Sequence, residues 1–255
     1  MLIIISPSKT LELNGHIPAL DFAQPIFPKE AEVLIKLLRK LSVDQLIELM
    51  DVSPKLAQLN QERFYTWRPE FSIGNSHPAI FAFRGEVYNG IGADTLSLED
   101  LKTGNDQLRI LSGLYGVIRP LDLIRPYRLE MGTSFKVGKH SNLYPYWHQK
   151  ITTQIREDLD RTNTNMLVNL ASIEYFKVLD QKKLKAEIIT PEFREGKNGT
   201  YKMITIFAKK ARGLMTRYIL QNKITEEEEI NTFNLAGYCF NPHLSQKGKP
   251  VFTRG

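Results

Sequence analysis

Apolar residues in this chain fall into two patterns, short blocks and spaced stripes. Residues 1–5, 78–83, 108–111 and 166–170 are apolar blocks bounded by Pro, Ser or Gly, the signature of short buried strands. The stripes have a helical period. Over 29–41, Ala31, Leu34, Ile35, Leu38 and Leu41 share one face, and over 144–159, Trp147, Ile151, Ile155 and Leu159 recur every fourth residue. Ser42 caps a helix over 43–50, Ser53-Pro54 opens another over 55–65, and a third runs over 97–102. Prolines 18, 25 and 28 mark an irregular surface segment over 11–27.

Later in the chain, residues 135–139 read as an edge strand and 171–177 as a helix leaving the 166–170 strand. Residues 186–190 and 202–207 read as two strands of a hairpin turning at Asn198-Gly199. A helix follows over 209–218, another begins at 226–229, and a late strand spans 237–240. With neither repeats nor a low-complexity linker, the pattern predicts a single mixed α/β (α+β) domain over 1–255, a central mixed sheet flanked by helices.

One stretch resists both patterns. Residues 112–132 are too apolar for a surface loop, yet Arg119-Pro120 and Arg125-Pro126 exclude a regular helix. Gly113 and Gly116 mark a tight turn or a close approach. Ser112, Tyr115, Arg119, Asp122, Tyr127, Arg128 and Glu130 sit among leucines and isoleucines. Partly buried charges need partners, so this segment is either a pinned loop or the wall of a site.

Composition bounds the rest. The 255 residues, 42% hydrophobic and 24% charged, suit an ordinary globular chain. No run approaches the ~20 apolar residues of a membrane span, the start lacks a signal-peptide pattern, and the single cysteine, Cys239, suits a reducing cytoplasm. The net charge of +6 is unevenly spread. Residues 177–255 hold fifteen Lys/Arg against eight Asp/Glu, an excess of +7, whereas the first 176 hold nineteen against twenty. Such asymmetry favours a polyanionic partner, because cation–phosphate contacts release condensed counterions. Lys209, Lys210, Arg212 and Arg217 concentrate that charge, with 209/212 and 210/217 paired by helical side.

Four polar clusters each follow a predicted strand: Ser6, Ser8 and Lys9; Arg84, Glu86 and Tyr88; Arg128 with Glu130; and Asn169, Ser172, Tyr175 and Lys177. Carboxyl ends of strands are where α/β sheets collect ligands. Ser6–Thr10 lacks the Walker glycines, so it is not a P-loop. The turn Gly90-Ile91-Gly92 suits either a plain turn or the hairpin of a helix-hairpin-helix element over 81–103, whose amides would hold a phosphate. Histidines 16, 77, 140, 148 and 243 are scattered, and no metal or other cofactor is expected.

Several of these motifs, Ser6-Pro-Ser-Lys-Thr10, Phe83-Arg-Gly-Glu-Val-Tyr88, residues 111–132, Asn169-Leu-Ala-Ser172 and Glu174-Tyr-Phe-Lys177, closely resemble the peroxide stress protein YaaA family, over essentially the whole length. The resemblance implies that family's compact fold with a positively charged cleft, DNA binding with a helix-hairpin-helix element, and protection from hydrogen peroxide by limiting free iron and DNA damage. The expected partner is duplex or distorted DNA held by backbone phosphates through Lys9, Arg84, Gly90–Gly92, Lys209, Lys210, Arg212 and Arg217. The alternative is an enzyme acting on a nucleotide, nucleoside or base, because Glu86, Asp122 and Glu130 are surplus to phosphate binding.

Overall fold

A computed structural model describes residues 1–15 and 17–255; His16 lies outside the described residues. Its central sheet has five strands in the order Gly116–Ile118, Leu108–Ser112, Leu2–Ile5, Met166–Asn169, Glu187–Ile189. All neighbours run parallel except the Gly116–Ile118 edge, which folds back antiparallel on Leu108–Ser112. Leu2–Ile5 is therefore central. Its two flanking strands come from far along the chain and lie on opposite sides, so the carboxyl end of Leu2–Ile5 opens onto a crevice of the kind that holds ligands in α/β sheets.

A second sheet, ordered Thr200–Lys202, Glu192–Lys197, Val251–Arg254, Cys239–Phe240, packs Phe193, Phe252 and Tyr238 into the same continuous core. The long helices Leu143–Arg161 and Thr205–Gln221 complete a single α/β domain. Capping residues set helix starts where the sequence placed them: Ser42 and Ser97 form capping boxes, and Ser53 accepts from the Leu56 amide ahead of Pro54.

Several expectations are corrected. Residues 78–83 form no strand: Ala79–Ala82 is a single helical turn between two-residue strands, because a fully buried apolar run carries no period. Residues 135–139 hold only an isolated bridge, Val137 to His140, around the positive-φ Gly138. The Asn198-Gly199 turn is real, with both residues at positive φ, but it joins Glu192–Lys197 to Thr200–Lys202. Glu187–Ile189 instead pairs in the central sheet, and helix begins at Thr205.

The 112–132 stretch is buried and cross-tied. A Cβ on Gly113 would lie 2.3 Å from the Leu129 carbonyl oxygen, and one on Gly116 would strike the Trp147 ring at 2.6 Å. Trp147 Nε1 donates to the Gly113 carbonyl at 2.9 Å. The Tyr115 hydroxyl accepts from Trp67 Nε1 at 3.0 Å and the Arg125 amide at 3.1 Å. Beneath, Arg109 is fully buried within its strand and grips Asp158 through two bonds of 2.6 and 2.7 Å, the arrangement that lets a charge pair survive burial.

Asp122 is less well served. Its Oδ2 accepts from the Arg119 amide at 2.9 Å, while buried Oδ1 has no partner among the described residues. Burial raises its pKa from 3.8 to about 6, against the lowering pull of the Arg119 amide and of the Arg119 and Arg109 charges. The folded state thus prefers the protonated acid, and ionisation weakens the fold as pH rises from about 4 to about 6. Asp122→Asn removes that dependence. Urea denaturation of both proteins should find that the variant's stability relative to wild type falls by about 2 kcal/mol between roughly pH 7 and pH 4.

Candidate functional site

The four polar clusters meet. A cleft of about 490 Å³ opens beyond the carboxyl end of Leu2–Ile5 and is lined by Ser6, Ser8 and Lys9, by Arg84, Glu86 and Tyr88, by Tyr127, Arg128 and Glu130, and by Ser172 and Tyr175. Lys209 and Arg212 close it from the Thr205–Gln221 helix.

Strand ends build its floor. Ser6 and Ser172 follow adjacent parallel strands, and Ser6 Oγ accepts from the Ser172 amide at 2.8 Å while donating to Ser172 Oγ at 3.2 Å. The Tyr88 hydroxyl donates to the Ser6 carbonyl at 3.1 Å, and the Tyr127 hydroxyl pairs with Ser112 Oγ at 2.6 Å. Burial pushes the Tyr88 and Tyr175 phenols well above their ordinary value, and Tyr127 likewise. The tyrosines are therefore neutral walls at any physiological pH.

Ion pairs divide the cations into held and free. Glu130 is bridged by Lys9 at 3.0 Å and Arg128 at 3.1 Å; Arg84 reaches out to Glu12 at 2.9 Å. Glu174, absent from the sequence-based site, also lines the cleft and accepts from the Gly132 amide at 2.8 Å. Its place two residues past Ser172, on the short Ile173–Phe176 helix, was the available signal. Lys209 and Arg212 have no acidic partner among the described residues. Burial lowers the Arg212 guanidinium pKa below its ordinary value, yet an arginine stays charged at neutral pH. A half-buried cation without a counter-charge is costly unless an anion completes it.

Other expected site residues lie elsewhere. Ser112, Tyr115 and Asp122 are buried behind the wall, and half-buried Arg119 donates its backbone amide to the Asp122 carboxylate. Asn169 and Lys177 line a neighbouring pocket of about 260 Å³ that shares Arg212 with the cleft, and the Lys177 ammonium sits 4.3 Å over the Tyr144 ring. Lys210 is exposed outside the cleft, and Arg217 donates to the carbonyls of Ile91 and Gly92.

That last bond bears on the Gly90–Gly92 turn. Glu86–Ile91 is a short helix ending at Gly92 in left-handed geometry. The amides of Gly92, Thr95 and Leu96 are satisfied within the turn, and Gly90 and Ile91 are buried. Gly90 faces the Thr205–Gln221 helix, where an added Cβ would lie 2.3 Å from the Lys210 carbonyl oxygen. The reciprocal Cβ on Gly213 would lie 1.9 Å from the Val87 carbonyl oxygen. These glycines let two helix backbones touch, and the crossing brings Glu86 and Tyr88 into the same cleft as Lys209 and Arg212.

Known proteins share this architecture's sequence. A profile of the peroxide stress protein YaaA family matches residues 1–244. The chain belongs to that family. It is 48% identical over 254 residues to a UPF0246 protein of Shewanella baltica strain OS195, covering 100% of this chain and 99% of the relative. A UPF0246 protein of Shewanella woodyi is 47% identical over the same span and coverage. In this member of the YaaA family the glycine crossing is the joint that assembles the cleft. Gly213→Ala should cost at least about 1–3 kcal/mol through overpacking, measured as a lowered urea midpoint.

Proposed function

We propose that this protein binds DNA through backbone phosphates and serves resistance to hydrogen peroxide by shielding DNA from peroxide and iron damage. The observation that carries the reading is the distribution of unopposed positive charge. From residue 196 to 225 the chain has Lys197, Lys202, Lys209, Lys210, Arg212, Arg217 and Lys223 and no Asp or Glu. Lys209 and Arg212 face the cleft unpaired, and Lys210 lies exposed beside it. A phosphate backbone supplies the missing counter-charge, with little demand on sequence. The family description adds the stress context. Among the described residues no helix is long and apolar enough to cross a membrane. Among the described residues no three His, Cys, Asp or Glu side chains are grouped to hold a metal.

Fluorescence anisotropy with a labelled duplex tests the reading. Affinity should fall steeply as salt rises. Lys209→Glu with Lys210→Glu should weaken binding and lower the slope of log affinity against log salt by about one for each phosphate no longer engaged. Salt-independent binding, or a double variant that binds like wild type, contradicts it.

The acids support a second reading, an enzyme acting on a nucleotide, nucleoside or nucleic-acid base. Glu86, Glu130 and Glu174 line a cleft beyond parallel strand ends, where a phosphate surface alone has no need of them. Incubation with nucleosides, nucleotides and oligonucleotides, followed by mass spectrometry, should then reveal a product that Glu130→Gln no longer forms; an unchanged panel removes this reading.

A further inference from the structure

The cleft has a direction. At one end Arg212 is shared with the adjoining pocket, and exposed Lys209 stands beside it. At the other, Glu130 and Glu174 are shared with a groove that also carries Glu48 and Asp51, against the single cation Lys136. A polynucleotide running straight through would carry its phosphates from unpaired cations into this acidic end, where like charges repel. Both oxygens of Glu130 are already taken by Lys9 and Arg128, whereas Glu174 Oε2 has no donor among the described residues. With Lys9 and Arg128 offsetting Glu130, that end offers a hydrogen-bond acceptor in Glu174 Oε2 rather than an unopposed cleft cation for a phosphate.

Size points the same way. At about 490 Å³ the cleft lies within the range of roughly 300–1,000 Å³ typical of small-molecule sites, and a duplex does not fit inside it. The buried, neutral tyrosines Tyr88, Tyr127 and Tyr175 contribute flat apolar wall between the two ends.

Resting on the nucleic-acid reading, we propose that the cleft is a pocket for one nucleotide, its phosphate against Arg212 and Lys209 and its base directed toward Glu174. Further phosphates of a DNA strand remain outside, along Lys210. The ligand class is a nucleoside monophosphate, free or as a unit turned out of a strand. A base carrying ring or exocyclic N–H groups can donate to the free Glu174 oxygen; a bare phosphate leaves that end empty.

Calorimetric titration of the full-length protein with the four deoxynucleoside 5′-monophosphates and with inorganic phosphate tests this, beside anisotropy with a labelled duplex. At least one monophosphate should bind about tenfold or more tighter than phosphate. Arg212→Ala should weaken it by about tenfold or more, and Lys209→Ala, at an exposed position that leaves folding intact, by several-fold. Glu174→Gln should change the ranking of the four bases while leaving phosphate binding unaltered. Monophosphates that bind no tighter than phosphate, or that bind both cation variants like wild type, overturn the proposal, and persisting salt-dependent DNA binding would then leave the wider reading intact. Failure of the wild-type protein to bind DNA overturns that reading; if no monophosphate binds either, both fall.

Discussion

Everything in the cleft depends on two backbones being able to touch. Gly90 and Gly213 remove the side chains that would otherwise hold the Glu86–Ile91 helix away from the Thr205–Gln221 helix. Dispersion fades within an ångström of separation, so such a crossing is rigid and intolerant of even one methyl group. Arg217 ties the same junction by donating to the carbonyls of Ile91 and Gly92 and to Thr95 Oγ1. The long helix therefore divides its cations by side: Lys209 and Arg212 turn into the cleft, while Arg217 is committed to structure.

The opposite wall is fixed by a different device. The parallel strands Leu2–Ile5 and Met166–Asn169 deliver Ser6 and Ser172 to neighbouring positions, and the buried 112–132 segment brings Arg128 and Glu130 beside them. The Arg109–Asp158 pair anchors that segment's parent strand to the Leu143–Arg161 helix. Broken singly, such a pair leaves an uncompensated buried charge, so it holds the wall firmly whatever its net contribution to stability. Scaffold and site are thus coupled, and fully buried polar groups border a cleft in which Lys209 and Arg212 remain open.

Much of this was legible in the sequence. The strands Leu2–Ile5, Leu108–Ser112 and Met166–Asn169 show as apolar blocks, and serine caps announce two helices, because these signals are local. The Ser6 and Ser172 clusters could be placed at a cleft because each follows a strand of one sheet, whose ends lie together; Arg84 and Arg128 reach the same cleft from segments outside that sheet. What escaped depends on neighbours distant in sequence. Gly90 suits a phosphate-binding turn equally well until the partner glycine at 213 is seen, more than a hundred residues on. Residues 79–82 are apolar on every side, so no period separates strand from helix. Ser112, Tyr115 and Asp122 share the composition of the wall yet face away from the cleft. Only the fold decides which side of a buried loop meets solvent.

Photocrosslinking tests the central claim most directly. A duplex carrying scattered 4-thiothymidine residues, irradiated with the protein and mapped by mass spectrometry, should place adducts at the mouth of the cleft, foremost on Lys209 and Lys210, and lose them at high salt. Adducts confined to remote faces, such as those around His148 or Cys239, would contradict the account.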